Sequence, residues 1–307
     1  MRGYRAWDRL MTYGAPRTVR DYVLFVERRL KAARVEFGHG TEEARDEAAW
    51  LVAGALGIAP GALAERLGTL PGRGAGARIR ALLASRIRTR QPLAYLLGEA
   101  WFAGRRYIVD PRVIVPRSLI GEFLPEQGGS PLADPDITSI LDLCTGSGAI
   151  AIAAARAFPG ARVDAVDISE DALKIAARNV RLHGVADRVR IIASDLFGDL
   201  EGRRYDLIVS NPPYVSEAEM ANLPREYRQE PALALAGGVD GLDLILPLLR
   251  EAPRHLTDDG RLVLEVGASR VALEARFPDE PFLWLASAAD ECVGYWHRED
   301  LAGWVDD

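Results

Sequence analysis

The chain has 307 residues, 49% of them hydrophobic, and a formal net charge of −6. That is enough for one large domain plus a small one, and it excludes extended disorder. The richest apolar run, residues 149–155, is far shorter than the roughly 20 residues a bilayer requires. The start, Met1-Arg2-Gly3-Tyr4-Arg5, lacks the apolar core of a signal peptide. Two cysteines, Cys144 and Cys292, make neither a disulfide framework nor a metal-ligand spacing. Four histidines, His39, His183, His255 and His297, are scattered, with no pair at helical spacing. The expectation is a cytoplasmic protein that uses no metal and no membrane.

Charge divides the chain. Residues 1–100 hold 17 Lys+Arg against 10 Asp+Glu, a balance of +7; the remainder holds 21 against 34, a balance of −13. Arg73, Arg78, Arg80, Arg86, Arg88 and Arg90 cluster in the basic part. They read either as a solvated helix face or as a contact for RNA or another polyanion.

In chain order, residues 17–37 place apolar side chains at 19, 22, 23, 26 and 30, which is helical spacing. A second helix is expected after Thr41, as N-cap, running to about Gly57. A third spans 78–90 and ends at Gln91-Pro92. Residues 1–95 therefore read as a small helical domain that recognises the substrate. Residues 96–126 follow as a hairpin and linker, because aromatic and β-branched residues between 100 and 115 flank Gly104 and Asp110-Pro111. Residues 127–136 read as a surface loop.

From Ile137 the pattern alternates. Strands are predicted over 139–143, 162–166, 189–193, 207–210 and 261–266, and helices over 149–158, 170–183 and 242–255. Alternation of this kind gives an α/β domain over 127–307, Rossmann-like, with a mostly parallel sheet and helices on both faces.

In such sheets a ligand binds beyond the carboxyl ends of the strands. The first strand ends at Asp142, and Cys144, Thr145, Gly146, Ser147 and Gly148 follow. Glycines let the backbone approach a ligand, and the helix N-terminus beyond offers free N–H groups. No third glycine completes the dinucleotide fingerprint. The second strand ends at Asp167-Ile168, where an acid can accept from both ribose hydroxyls. It can equally cap the following helix, as Ser169 could. The third ends at Asp195-Leu196, where an acid can accept from an adenine amino group while a leucine covers a ring face.

The fourth strand ends at Asn211-Pro212-Pro213-Tyr214. The prolines stop the ladder and remove its N–H groups, so the turn presents acceptors only. The Asn211 side-chain carbonyl and the Pro212 backbone carbonyl can take both hydrogens of an NH₂ group. An amide nitrogen is a poor nucleophile, and holding its two N–H bonds aims its lone pair, which is positioning rather than strong-base catalysis. Tyr214 can stack on a planar acceptor.

These residues resemble the class I methyltransferases of the amino-methylating type. Within them the chain is similar to the glutamine methyltransferases that modify translation proteins, through residues 92–96, 115–117, 230–231, 237–241 and 265–267. The resemblance spans roughly residues 18–297. It implies S-adenosylmethionine as methyl donor, bound by Asp142, Cys144, Thr145, Gly146, Ser147, Gly148, Asp167, Ile168, Asp195, Leu196 and Asn211. It implies catalysis by Asn211, Pro212 and Tyr214, with Pro213 among the acceptor-binding residues. Two branches fit, one acting on peptide chain release factors and one on large-subunit ribosomal protein three. Residues 100–104, 115–122, 142–148, 256–260 and 281–285 look like the ribosomal-protein branch. The release-factor branch usually carries Arg-Pro-Asp/Glu-Thr-Glu at residues 117–121 and Gly at the position of Cys144. One departure is 289–294, where a Gly-His-Gly-like turn is expected. Adenine amino methylation uses the same Asn-Pro-Pro-Tyr chemistry, but base flipping needs a basic channel and the catalytic half is acidic. A non-catalytic module of ribosome assembly, contacting RNA through the basic half, is the remaining reading.

Overall fold

The computed structural model describes residues 15–124, 130–287 and 291–304. The chain divides into two compact units, Met1–Leu97 and Gly98–Asp307.

In the first unit Thr18 starts α1 (Val19–Ala32) with a capping box. Its hydroxyl accepts the Asp21 N–H while the Asp21 carboxylate accepts the Thr18 N–H. The apolar stripe Val19, Tyr22, Val23, Val26 and Leu30 is buried as its spacing predicts. The next helix, α2 (Ala44–Leu56), begins later than predicted. Glu43 occupies its N-cap without a side-chain bond, and the Thr41 hydroxyl is buried with no partner among the described residues. Gly57 ends it in the left-handed region, φ 71°. Then come α3 (Ala75–Thr89) and the short α4 (Leu93–Leu97). One member of the arginine cluster is not a surface charge. Arg86 is wholly buried, its guanidinium donating to Glu47 at 2.8 and 3.2 Å and to the Glu36 carbonyl at 2.9 Å. Arg73, Arg78, Arg80 and Arg88 remain exposed.

The second unit opens with an antiparallel hairpin, β1 (Glu99–Phe102) and β2 (Arg105–Ile108). Ala103 and Gly104, both at positive φ, make its two-residue turn. A single turn, α5 (Ile120–Phe123), precedes the sheet. Of the loop expected over 127–136, residues 127–129 lie outside the described set and the rest carries turns.

The sheet order is β5–β4–β3–β6–β7–β9–β8, with β3 Ser139–Leu143, β4 Arg162–Asp167, β5 Val189–Ala193, β6 Tyr205–Ser210, β7 Leu256–Glu265, β8 Leu283–Leu285 and β9 Val293–His297. The first five in that order are parallel; β9 and β8 close one edge antiparallel. Helices α6 (Ala149–Ala157), α7 (Glu170–Leu182), α8 (Glu217–Asn222), α9 (Ile245–His255) and α10 (Arg270–Arg276) connect the strands. Alternate strand residues feed two cores. Ile140, Val163 and Val209 pack on one face, and Leu141, Leu143 and Ile208 on the other. The mostly parallel α/β sheet, Rossmann-like, is therefore present. Within 289–294, residues 289 and 290 lie outside the described set, and Val293 already belongs to β9.

Chain order runs outward from β3 to β4 and β5, then returns to β6 on the opposite side, so the crossover reverses between β3 and β6. A crevice opens at such a switch point. Leu143 pairs with Ser210, and the Ser210 hydroxyl donates to the Leu143 carbonyl at 2.8 Å. The loop beginning at Cys144 and the turn beginning at Asn211 thus leave the sheet side by side.

Candidate active site

The loop after β3 is shaped from below by Asp142. This carboxylate is wholly buried; one oxygen accepts the Thr145 hydroxyl at 2.5 Å and the Ala151 N–H at 2.9 Å, and the other has no partner among the described residues. Burial pushes the Asp142 carboxyl up to about 7. From above, Asp167 holds the same loop. Its carboxylate accepts the Gly146 N–H and the Ser169 N–H, each at 2.8 Å, and burial raises its pKa. Ser169 caps α7 through the Ala172 N–H at 3.2 Å. Capping thus falls to the serine, and the acid is committed to the loop.

Two non-glycine residues here lie in the left-handed region, Cys144 at φ 58° and Leu196 at φ 44°. Such conformations cost about 1–2 kcal/mol in an L-residue, and they concentrate at ligand sites. Burial keeps the Cys144 thiol protonated, so it acts as a small apolar wall.

The turn after β6 is locked against its surroundings. The Val215 N–H donates to the Leu235 carbonyl and the Gly237 N–H to the Val215 carbonyl, each at 2.8 Å. The Ser269 hydroxyl donates to the Tyr214 carbonyl at 2.7 Å. Gly241 and Gly267 crowd Tyr214: a Cβ on the first would overlap its carbonyl oxygen, and a Cβ on the second its ring. The Tyr214 hydroxyl donates to Glu265 at 3.4 Å, and burial raises the pKa of both groups. Against this rigid frame the Asn211 side-chain amide makes no hydrogen bond within the described protein. It is half-buried and faces a cavity.

That cavity has a volume of about 410 Å³, ample for a small-molecule ligand. Cys144, Gly146, Asp167, Ile168, Asp195 and Leu196 line it together with Asn211, Pro212, Pro213 and Tyr214. Ile168 is 55% exposed there, a large apolar residue left without cover. Ten of the residues singled out in the sequence are thereby gathered around one space. Asp142, Thr145, Ser147 and Gly148 do not line it; all four are buried beneath the loop they shape. The arrangement fits S-adenosylmethionine. An open carboxylate, Asp195, and a partly buried one, Asp167, stand at successive strand ends beside the apolar Ile168 and Leu196, and the unused Asn211 amide borders the same space.

Sequence reasoning assigned no role to Arg117, Ser118, Tyr227, Glu230 or Glu265. The contacts that join them to the stretch 115–119 span more than a hundred residues of chain, as Arg117 with Glu230 at 2.7 Å, so no local spacing reveals them. The resemblance at residues 115–122, 230–231 and 265–267 takes in Arg117, Ser118, Glu230 and Glu265, and nothing in the sequence points to Tyr227.

The family model described as methyltransferase small domain matches residues 130–226. The ribosomal protein uL3 glutamine methyltransferase of Bordetella pertussis is 50% identical over 272 residues, covering 88% of this chain and 91% of its own. Its namesake from Bradyrhizobium diazoefficiens is 45% identical over 286 residues, 91% of this chain and 90% of the relative. That from Francisella tularensis is 44% identical, over 88% and 87%. At this identity and coverage the chain belongs to the family of ribosomal protein uL3 glutamine methyltransferases.

Proposed function

We propose that the protein transfers a methyl group from S-adenosylmethionine to the side-chain amide nitrogen of a glutamine in ribosomal protein uL3. The observation that carries this is the unpartnered Asn211 amide at the cavity wall, in a turn whose Tyr214 and Val215 backbones are hydrogen-bonded to Ser269, Leu235 and Gly237. S-adenosylmethionine supplies a methyl on a sulfonium, already activated. At the donor end Asp167 and Asp195 accept from the donor's polar hydrogens, while Ile168 and Leu196 cover its apolar faces. The Gly146 backbone stays in place because Asp167 also holds its N–H. At the acceptor end the Asn211 and Pro212 carbonyls take the two N–H bonds of the glutamine amide and turn its lone pair inward. Pro213 keeps the turn free of competing donors, and Tyr214 walls the planar acceptor. Exclusion of water by Pro212 and Pro213, both buried, strengthens these contacts.

The relatives' printed substrate favours uL3 over release factors, and the acidic catalytic half suits a basic ribosomal protein better than nucleic acid. Such an enzyme works in the cytoplasm, where ribosomes are assembled. RNA contact by the exposed arginines of α3 is compatible with this role.

Asn211 provides the test. Asn211→Ala should leave donor affinity nearly intact in calorimetry and reduce turnover on the order of 10²-fold, as loss of one oriented transition-state group does. Turnover within a few-fold of wild type would sink the amide clamp. Asn211→Asp keeps an acceptor but adds charge, and should fall between.

A further inference from the structure

The acceptor end has a feature that residues 211–214 leave unexplained. Two buried carboxylates grip one short stretch of chain, residues 115–119. Glu230, 5% exposed, accepts the Val115 N–H at 2.9 Å and both arms of the Arg117 guanidinium at 2.7 and 2.8 Å. Glu265, 4% exposed, accepts the Ser118 hydroxyl at 2.6 Å and the Leu119 N–H at 2.9 Å. Burying carboxylates is costly, and these are tolerated only because each is multiply hydrogen-bonded. Arg117 lies within that stretch, and Glu230 immobilises its guanidinium.

Arg117 borders the cavity, its guanidinium 5.5 Å from the centre of the Tyr227 ring and its side chain 23% exposed. An arginine has five N–H donors. Nη1 spends its two on Glu230 and the Val115 carbonyl, and Nη2 spends one on Glu230. The Nε hydrogen and the second Nη2 hydrogen have no partner among the described residues. Glu230 already neutralises the charge, so this is a poor trap for an anion. It is a preorganised pair of donors suited to a neutral carbonyl. The cavity is also lined by Leu223, Pro231 and Leu233, the last 60% exposed. Such a lining extends past a single side chain and fits a length of polypeptide.

We propose that Arg117 is a specificity-determining residue. It donates its free N–H groups to a backbone carbonyl of the acceptor polypeptide beside the target glutamine, with Tyr227 and Leu233 flanking that chain. The proposal rests on reading residues 211–214 as the acceptor end.

The test uses the full-length enzyme with intact uL3 as acceptor. Arg117→Lys keeps the charge and loses the planar fork. The paired change Arg117→Met with Glu230→Gln removes the ion pair without stranding a buried carboxylate. Each should raise the KM for uL3 about tenfold or more, as loss of charge-assisted hydrogen bonds does, with a smaller change in kcat. Donor affinity by calorimetry and Tm should stay near wild type for the paired variant. An unchanged KM in both variants would overturn the proposal. So would a loss that appears in donor affinity instead, since that would place Arg117 at the other end. The position of the transferred methyl, read by mass spectrometry on the wild-type product, reports separately on the glutamine reading.

Discussion

Asp167 shows how one side chain serves two purposes. Its carboxylate holds the Gly146 N–H and so sets the loop, yet it lines the cavity and keeps lone pairs free for a ligand. The sequence allowed two readings of this acid, as a ribose acceptor or as a helix cap, and the structure gives the cap to Ser169. Asp167→Ala removes hydrogen bonds to a charged acceptor, worth about 1.5–3 kcal/mol. Calorimetry should show S-adenosylmethionine binding weakened roughly tenfold or more. Unchanged affinity would remove Asp167 from the donor site. Asp142, by contrast, was legible as a strand-end acid but not as a buried one. Nothing in local spacing says that Thr145 and Ala151 fold over it. Arg86 carries the same lesson: in the sequence it is one arginine of a basic cluster, and only its pairing with Glu47, 39 residues earlier, makes it a core residue.

At the scale of elements, periodicity carried most of the reading. The predicted strands 139–143 and 189–193 match β3 and β5: β3 is a buried parallel strand and reads as an apolar run, while the edge strand β5 is legible from its β-branched Val189, Ile191 and Ile192. Where polar residues enter a strand the signal fails. β7 starts at Leu256, not at 261, running through Thr257, Asp258, Asp259 and Gly260 beside Tyr205. The antiparallel partner β9 follows a segment with no strand-like alternation, and pairing with β7 is what orders it. The turn at residues 211–214 was legible because proline and asparagine fix chemistry locally. Its support was not, since Gly241, Gly267 and Ser269 reach it from 27 residues or more away in the chain. Gly267 tests that support. It lies at φ 51°, and an added Cβ would overlap the Tyr214 ring. Gly267→Ala should displace Tyr214, lowering turnover on uL3 more than it weakens donor binding. A variant with wild-type kinetics would show that the Tyr214 ring does not need this placement.

For the whole molecule, opposite charge and separate cores suggest a division of labour between Met1–Leu97 and Gly98–Asp307. Every residue lining the cavity lies in the second unit. We therefore expect a chain beginning at Gly98 to bind S-adenosylmethionine but to lose methylation of intact uL3. Full activity of the shortened chain would refute a substrate-choosing role for the first unit. Among the described residues no single helix is long and apolar enough to cross a membrane.

The choice of acceptor belongs to this scale too, because residues 211–214 would clamp any primary amide alike. Surface charge must then contribute, and an acidic catalytic half should draw a basic ribosomal protein, less so as salt screens the attraction. The most direct measurement gives the enzyme labelled S-adenosylmethionine together with uL3, release factors and RNA, and locates the label by mass spectrometry as ionic strength rises. The label should appear on a glutamine side-chain nitrogen of uL3, efficiently at low salt and less so at high salt, with release factors and RNA remaining poor acceptors. Comparable labelling of a release factor, or label on an adenine, would contradict it.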